Sequence, residues 1–232
     1  MDSFTYRAGH VDITIYRSVC QYLNSNMYAI LEGHEAVVID PCEDNELIQL
    51  FIKNDVAHVH ILLTHEHYDH ISGVEWLLDN SHADIFCQQE AATALAIGRK
   101  RTPALISTVL ANEDRKDGGH RYPDFKAKFK PYSIQVNKTF DKEDKFQLGD
   151  LCFHVTSTPG HSPGSACYEL NKSIVFTGDT LLQYDPIIVR FSNSSQNTYE
   201  DITLPYLRSL DKSCMIMPGH GEPFVLSETN NI

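Results

Sequence analysis

The chain has no run of apolar residues that approaches the roughly 18 needed to cross a bilayer, so the sequence predicts no membrane span. Its formal net charge is −12, and no basic tract is longer than Arg99–Arg101. Because nucleic acids are bound through clustered Lys and Arg side chains, this balance disfavours a nucleic-acid partner. The first residues have neither the basic region nor the apolar stretch of a signal peptide, and we expect a cytoplasmic protein.

The cysteines show no C-x-x-C pair, and most of them lie in strand-like stretches. The six are Cys20, Cys42, Cys87, Cys152, Cys167 and Cys214. We therefore expect reduced thiols that are packed inside a cytosolic protein, without disulfide bonds.

Strands and helices alternate along the 232 residues, of which 42% are apolar, enough to bury the core of one domain. The predicted strands are Ile13–Val19, Met27–Leu31, Ala36–Ile39, Asp84–Cys87 and a pair near residues 148–150. The predicted helices are Glu46–Lys53, Gly73–Leu78, Gln88–Ile97 and Tyr199–Leu210, the last with Asn197 or Thr198 as its cap. This order predicts an α/β protein in which layered sheets are flanked by helices.

Residues 64–70 read Thr-His-Glu-His-Tyr-Asp-His and follow an apolar, strand-like stretch. Imidazole nitrogen and carboxylate oxygen are ligands of zinc, iron and manganese. His65 and His67 alternate by two and so share one face of an extended backbone. Asp69 and His70 must then bend elsewhere, which suggests two metal ions rather than one.

Three later segments repeat the arrangement of a strand followed by a turn that carries a candidate ligand. Residues 158–165 place His161 on a Gly/Pro turn, residues 176–180 place Asp179 after a strand, and residues 217–221 place His220 in the same way. Four strand ends of this kind can build one site from distant segments.

Neighbours of these ligands are expected to have other roles. The alternation that aims His65 and His67 turns Glu66 and Tyr68 away from them. Ser162 is expected to support its turn rather than to act as a nucleophile.

This set of motifs resembles the metal-binding signature of the metallo-β-lactamase superfamily over nearly the whole chain. The resemblance implies an αβ/βα sandwich of four layers. It also implies that one metal ion binds to His65, His67 and His161 and that a second binds to Asp69, His70 and His220. Asp179 would bridge the two ions, and Asp40 would support the ligands without binding a metal itself. The metals would be two divalent ions, zinc first, with iron or manganese as alternatives.

The chemistry that follows is hydrolysis. A metal pair lowers the pKa of bound water and so supplies hydroxide without a strong base. Asp69 is expected to be the catalytic residue, which orients the attacking water and carries its proton to the leaving group. The substrate would be a small molecule with a carbonyl ester bond.

Residues 178–182 resemble the glyoxalase II branch, whose members hydrolyse thioesters. The helical domain that binds glutathione in that branch has no match, so a thioester other than a glutathione thioester is the leading prediction. The lactonases of the superfamily carry a tyrosine where this chain has Leu182, with Tyr184 two positions further on. A lactonase, a persulfide dioxygenase with a single iron and a non-catalytic metal-binding sensor remain alternatives, and the assembly state stays open, a homodimer included.

Residues 98–136 do not fit the alternation and form an unusually long connection for a compact domain. One interpretation is a cap over the metals, with Phe125, Phe129 and Tyr132 as wall residues of the substrate pocket. The other is a surface excursion with a few anchoring aromatic side chains. Tyr184 and Arg190 are further candidates for contact with an anionic group of the substrate.

Overall fold

The computed structural model describes residues 1–8, 11–21, 23–187, 189, 191 and 193–232, and within them two sheets lie face to face. The strands of the first sheet are β1 Asp2–Ala8, β2 Val11–Val19, β3 Asn26–Glu32, β4 Glu35–Ile39, β5 His58–Leu62, β6 Ala83–Gln88 and β7 Lys138–Phe140. Those of the second are β8 Glu143–Leu148, β9 Leu151–Ser157, β10 Ala166–Leu170, β11 Ile174–Gly178, β12 Met215–Pro218 and β13 Phe224–Val225.

Helices cover the outer faces of the sheets. They are α1 Asn45–Lys53, α2 Tyr68–Ile71, α3 Val74–Asn80, α4 Gln89–Ile97, α5 Ala104–Asp117, α6 Arg121–Lys128, α7 Gln196–Thr198 and α8 Leu204–Ser209. A π-helical turn, Tyr199–Thr203, joins α7 to α8, and a 3-10 turn covers Leu226–Glu228.

The sheets are mixed, and their order follows the chain closely. In the first sheet β1 to β4 are antiparallel neighbours, whereas β4, β5, β6 and β7 are parallel. In the second sheet β8 to β11 are antiparallel, and β11 pairs with β12 in parallel. Because parallel strands end at the same edge of a sheet, the turns that follow β4 and β5 lie side by side.

The core consists of three apolar layers. Inward-facing side chains of both sheets, such as Tyr28, Phe153 and Phe176, fill the central layer. In the second layer, α1, α3 and α4 pack against the first sheet. In the third layer, the α8 region packs against the second sheet. The result is helix, sheet, sheet and helix, which confirms the predicted αβ/βα sandwich.

The structure corrects several local predictions. The helix near residue 199 begins earlier than expected, because the Ser195 side chain accepts a hydrogen bond from the backbone N–H of Thr198 at 3.2 Å and so forms the cap. The sequence analysis did not predict β1. It also did not predict α5 and α6, which occupy much of the 98–136 segment.

Among the described residues, no helix has the length and the apolar run that crossing a bilayer requires. The six cysteines are free thiols, and five of them are buried.

Candidate metal centre

Two groups of ligand-type side chains meet at one edge of the sandwich. The ligand atoms of His65, His67 and His161 lie within 4.8 Å of one another. The same holds for the ligand atoms of Asp69, His70, Asp179 and His220. The structure therefore brings together all seven residues that the sequence singles out as metal ligands.

Asp179 lies between the two groups. Its Oδ2 is 3.5 Å from Nε2 of His161, in the first group. Its Oδ1 is 3.3 Å from Nε2 of His70 and 3.5 Å from Nε2 of His220, in the second. One carboxylate oxygen thus faces each group.

In the first group, His65 and His67 follow the end of β5, and His161 lies in the turn after β9. His67 Nδ1 and His161 Nε2 are 2.9 Å apart, a separation that an N–H of one ring and the lone pair of the other satisfy. The buried Nε2 of His65 has no hydrogen-bond partner among the described residues. Three imidazole nitrogens therefore lie close enough together to hold one cation once the shared proton is displaced.

The second group depends on α2, whose first turn carries Asp69 and His70. His220 comes from the turn after β12, and its Nε2 is 3.4 Å from Oδ2 of Asp69. Its other ring nitrogen, Nδ1, is 3.0 Å from the backbone carbonyl oxygen of Asn24, a contact that fits an N–H donor at that position. The nitrogen that faces the carboxylates is then left free to bind a metal.

Asp40 orients one histidine in each group. Its φ of +51° is rare for a residue other than glycine and turns the side chain toward the end of β5. Oδ2 accepts hydrogen bonds from His70 Nδ1 at 2.8 Å and from the Thr64 hydroxyl at 2.6 Å. That hydroxyl is 3.0 Å from Nδ1 of His65. The arrangement holds both rings with Nε2 directed at the site, as in other metal centres whose histidines are supported by a carboxylate.

Two glycines allow the backbone to approach the ligands closely. A Cβ at Gly219 would collide with Oδ1 of Asp179 and would stand 2.7 Å from Cε1 of His70. A Cβ at Gly178, where φ is +51°, would stand 2.7 Å from Cβ of Thr64. Any larger side chain at position 219 would displace the second group.

Electrostatics favour the metal-binding form of His65, His67 and Asp179 but hold a proton on His70, which a bound metal would displace. Burial and the neighbouring imidazoles lower the pKa of His67 to about 4 and hold the pKa of His65 well below its usual value, so both rings are neutral. Burial disfavours the charged form of Asp179, but nearby imidazoles outweigh it and hold the pKa of this carboxyl well below its usual range. Burial lowers the pKa of His70, but the neighbouring Asp179 and Asp69 carboxylates outweigh burial, so that the pKa of this ring is raised.

These residues fit a pair of divalent metal ions. Three buried ligand-type atoms, His65 Nε2, His70 Nε2 and Asp179 Oδ1, lack a hydrogen-bond partner in the described structure. Buried polar atoms are normally satisfied, so unpaired atoms of this kind in both groups indicate that each group binds a ligand. Neutral imidazoles and ionised carboxylates are the donor set that zinc, iron and manganese accept.

Ser162 lies within Gly160–Gly164, which spells G-x-S-x-G, the pattern of a nucleophile elbow. The context differs, since no helix follows this turn and the side chain is fully buried. Its hydroxyl donates a hydrogen bond to Glu66 Oε2 at 2.8 Å. The serine thus ties the His161 turn to the His67 turn, and burial raises the pKa of the Glu66 carboxyl.

A cavity of about 940 Å³ opens beside the metal ligands and includes His67, Asp69, Asp179 and His220 in its wall. Glu66 and Tyr68 also line it, although neither belongs to the two groups of ligand-type residues. The Glu66 carboxylate is instead hydrogen-bonded to Ser162, and the Tyr68 ring packs against Phe125 and Phe129.

The segment 98–136 forms one wall of this cavity, mainly through α5. Of the three aromatic residues predicted there, Tyr132 lines the cavity. Phe125 and Phe129 do not; they pack against Tyr68 with ring centroids 5.6 and 5.3 Å away, and Phe125 is only 4% exposed. Their role is to support the wall rather than to face the substrate.

The predicted substrate contacts that follow Asp179 in the sequence do not line the cavity among the described residues. Tyr184 is 83% exposed and is not among the lining residues. Arg190 lies outside the described residues. Leu182 and Phe191, which the sequence analysis did not propose as substrate contacts, do line the cavity.

Among the residues that the structure describes, no histidine outside the motifs joins the two groups of ligand-type residues. His58 begins β5, at the opposite end of the strand from the ligands, and its Nε2 is 3.2 Å from Asp84. His60 is 2.6 Å from Glu35.

The sequence profile of the Metallo-beta-lactamase superfamily matches residues 21–220. Glyoxylase B2 of Dictyostelium discoideum is 30% identical over 156 residues, which are 66% of this chain and 47% of that protein, so the chain spans about half the length of this relative. Hydroxyacylglutathione hydrolase of Buchnera aphidicola subsp. Schizaphis graminum is 28% identical over 194 residues, 84% of this chain and 60% of that enzyme.

Solved structures of other proteins share the fold of this chain. The BLEG-1 B3 metallo-beta-lactamase superposes with a TM-score of 0.66 at 24% identity, covering 92% of this chain and 95% of that one. TTHA1623 in a di-iron-bound form gives a TM-score of 0.66 at 22% identity, covering 92% and 96%. With its four-layer fold and its paired groups of histidines and aspartates, the chain belongs to the metallo-β-lactamase superfamily, a superfamily of metal-dependent hydrolases.

Proposed function

We propose that this chain is a binuclear metal-dependent hydrolase that cleaves a small acyl ester, with a thioester as the first candidate. The observation that carries the proposal is the position of Asp179, whose two carboxylate oxygens face different ligand groups. A carboxylate in this position fits a bridge between two ions. Zinc is the first candidate, and the di-iron-bound TTHA1623 keeps iron as an alternative.

A metal pair, when bound, lowers the pKa of a coordinated water toward neutrality and polarises the carbonyl group of the ester. The seven ligands would divide as the geometry suggests, with His65, His67 and His161 on one side of Asp179 and the remaining three on the other. Asp40 keeps a ring in each set turned toward the site.

Asp69 is the residue that we assign to proton transfer. It lines the cavity, and its side chain is 19% exposed, so it is the carboxylate of the centre with the most open access to substrate. Imidazoles of His70 and His220 outweigh burial and lower the pKa of this carboxyl. Asp69 therefore starts ionised, can accept a proton on its carboxylate from the attacking water, and can pass it to the departing thiolate.

The thioester is favoured by the relatives that carry glyoxalase-type names, Glyoxylase B2 and hydroxyacylglutathione hydrolase. A lactone is disfavoured because Leu182 occupies the position of the lactonase tyrosine and lines the cavity, while Tyr184 is exposed and lies outside the lining. Phosphate esters are disfavoured because Arg99 is the sole Lys or Arg among the described lining residues.

The test is a substrate panel with metal-loaded protein: a neutral thioester, a lactone and a phosphate monoester. We expect hydrolysis of the thioester, with His67→Ala and Asp179→Ala lowering kcat/KM at least a hundredfold while circular dichroism shows a folded chain. His58→Ala removes a histidine at the other end of β5 and should retain the wild-type rate.

Other outcomes would select other functions. Preferential turnover of the lactone would favour a lactonase. One iron per chain with consumption of oxygen on a persulfide, and no hydrolysis, would favour a dioxygenase. Two metals with no turnover of any compound would favour a sensor.

A further inference from the structure

Helix α5 has several apolar side chains that are not buried against the rest of the described structure. Leu110 is its one buried residue, yet Leu105, Ile106 and Val109 are apolar as well. Leu105 is 51% exposed and Val109 is 44% exposed. Residues four apart lie on the same face of a helix, so these two form a stripe that the fold of the chain leaves uncovered.

This stripe faces the metal centre across the cavity. Pro103, Leu105, Ile106 and Val109 line the same space as the metal ligands His67 and Asp179. Ile97, at the end of α4, extends the apolar wall and is 80% exposed. The cavity, at about 940 Å³, is near the upper end of the range that holds a drug-sized ligand.

The opposite side of the cavity adds further apolar side chains. Leu182, Pro186, Ile187 and Phe191 belong to the segment after the bridging aspartate and line the same space. An apolar chain entering the cavity would therefore contact side chains from both walls rather than one face of a single helix.

Away from the metal ions, which would themselves attract an anion, the charges along the cavity wall disfavour an anionic group on the part of the substrate that lies there. Outside the metal-ligand set, Glu66, Glu113 and Asp185 line it, against one guanidinium, that of Arg99, among the described lining residues. Arg99 is itself hydrogen-bonded to Tyr132. The net charge of −12 adds a field that repels anions over a longer range.

We infer that the substrate is an ester or thioester with an uncharged, apolar chain that lies along α5, between Leu105 and Val109 on one wall and Leu182 and Phe191 on the other. The inference rests on the proposed hydrolase function and adds the class of substrate. Burial of each methylene group against this wall should strengthen binding by about two- to fourfold.

The first experiment measures kcat/KM of metal-loaded protein on N-acetylcysteamine thioesters of straight-chain acids from two to eight carbons. We expect kcat/KM to rise with each methylene and the octanoyl coenzyme A thioester, with its polyanionic carrier, to be a poorer substrate than the neutral octanoyl thioester. S-methyl thiooctanoate and S-heptyl thioacetate, which have the same composition, then show whether the chain belongs to the acyl group or to the leaving group.

The matched variants are Leu105→Gln/Val109→Gln and Ile52→Gln. Ile52 is an apolar side chain on α1 that is 64% exposed, more than Leu105 or Val109, and it is not among the residues that line this cavity. The double substitution should lower the ratio of octanoyl to acetyl kcat/KM at least tenfold, whereas Ile52→Gln should preserve it. Using a ratio within each protein cancels differences in metal content and in folded fraction.

A second readout does not depend on turnover. Calorimetry measures binding of uncleavable S-alkyl thioethers of N-acetylcysteamine, for which we expect the Kd to fall with chain length and the heat-capacity change to be negative. Affinity that is independent of chain length, or an unchanged ratio in the double variant, would overturn the inference. If no ester is cleaved but the Kd still falls with chain length, the proposed hydrolase function fails while the apolar site stands.

Discussion

Asp40 Oδ2 accepts a hydrogen bond from His70 Nδ1 at 2.8 Å, which leaves His70 Nε2 as the ring atom that faces Asp179. The same oxygen accepts from the hydroxyl of Thr64, which lies next to Nδ1 of His65. A single buried carboxylate therefore sets the ring orientation of a histidine in each group. Its contribution to metal binding can be measured without touching a ligand.

The Asp40 carboxylate accepts three hydrogen bonds, from the backbone N–H and the hydroxyl of Thr64 and from His70 Nδ1. Asp40→Asn should weaken metal binding by about 10- to 100-fold, because an amide has a single acceptor oxygen and no negative charge. Competition with a chromophoric chelator measures the affinity. Asp12→Asn changes an exposed aspartate on β2 and serves as the control. Equal affinities in wild type and Asp40→Asn would show that the two histidines hold their orientation without Asp40.

Gly219→Ala should reduce metal content at the second group, since the added Cβ collides with Oδ1 of Asp179 and stands 2.7 Å from the ring of His70. Gly33→Ala is the control: φ there is +59°, so alanine is strained, but no atom lies within 4 Å of the new Cβ. We expect Gly33→Ala to cost stability of about 1 kcal/mol while its metal content stays normal. Full metal content in Gly219→Ala would contradict the packing described for this turn.

The free energy of unfolding of metal-free protein should depend on pH through two histidines that act in opposite directions, His67 and His70. His67 has a folded pKa of about 4 against an ordinary value of 6.5, so between these values the unfolded chain binds more protons and the free energy of unfolding rises with pH. His70 has a raised pKa, since the Asp179 and Asp69 carboxylates outweigh burial. Its contribution is fully present below about pH 6.5 and is lost as the pH rises through the folded pKa.

Urea denaturation of metal-free protein at about pH 5, 6.5 and 8 measures this dependence. We expect a maximum near the middle value, with His67→Gln flattening the acid side. A free energy of unfolding that rises steadily from acid to alkaline pH would show that the carboxylates do not hold a proton on His70.

The grouping of the candidate ligands could be predicted from the sequence because each segment that carries them begins where a strand ends. Local patterns place His65, His161, Asp179 and His220 at strand ends, and strand ends of one sandwich meet at its edge. The fold class could be predicted because strands and helices alternate along the chain, and the apolar pattern that reveals them is local. The strand and helix limits predicted from the apolar pattern differ from the observed ones by a few residues at most.

The substrate cavity could not be predicted in the same way. Its wall depends on which face of α5 turns inward, and Leu105, Val109 and Leu110 are equally apolar in the sequence. Tertiary packing buries Leu110 and leaves the other two in the cavity.

The number of metal ions per chain, determined by elemental analysis of purified wild-type protein and of Asp179→Ala, tests the binuclear centre most directly. We expect about two ions in the wild type, because the ligand atoms form two groups on either side of one carboxylate, and fewer than two in the variant. One ion or none in the wild type, or two ions retained in Asp179→Ala, would contradict a binuclear centre bridged by Asp179.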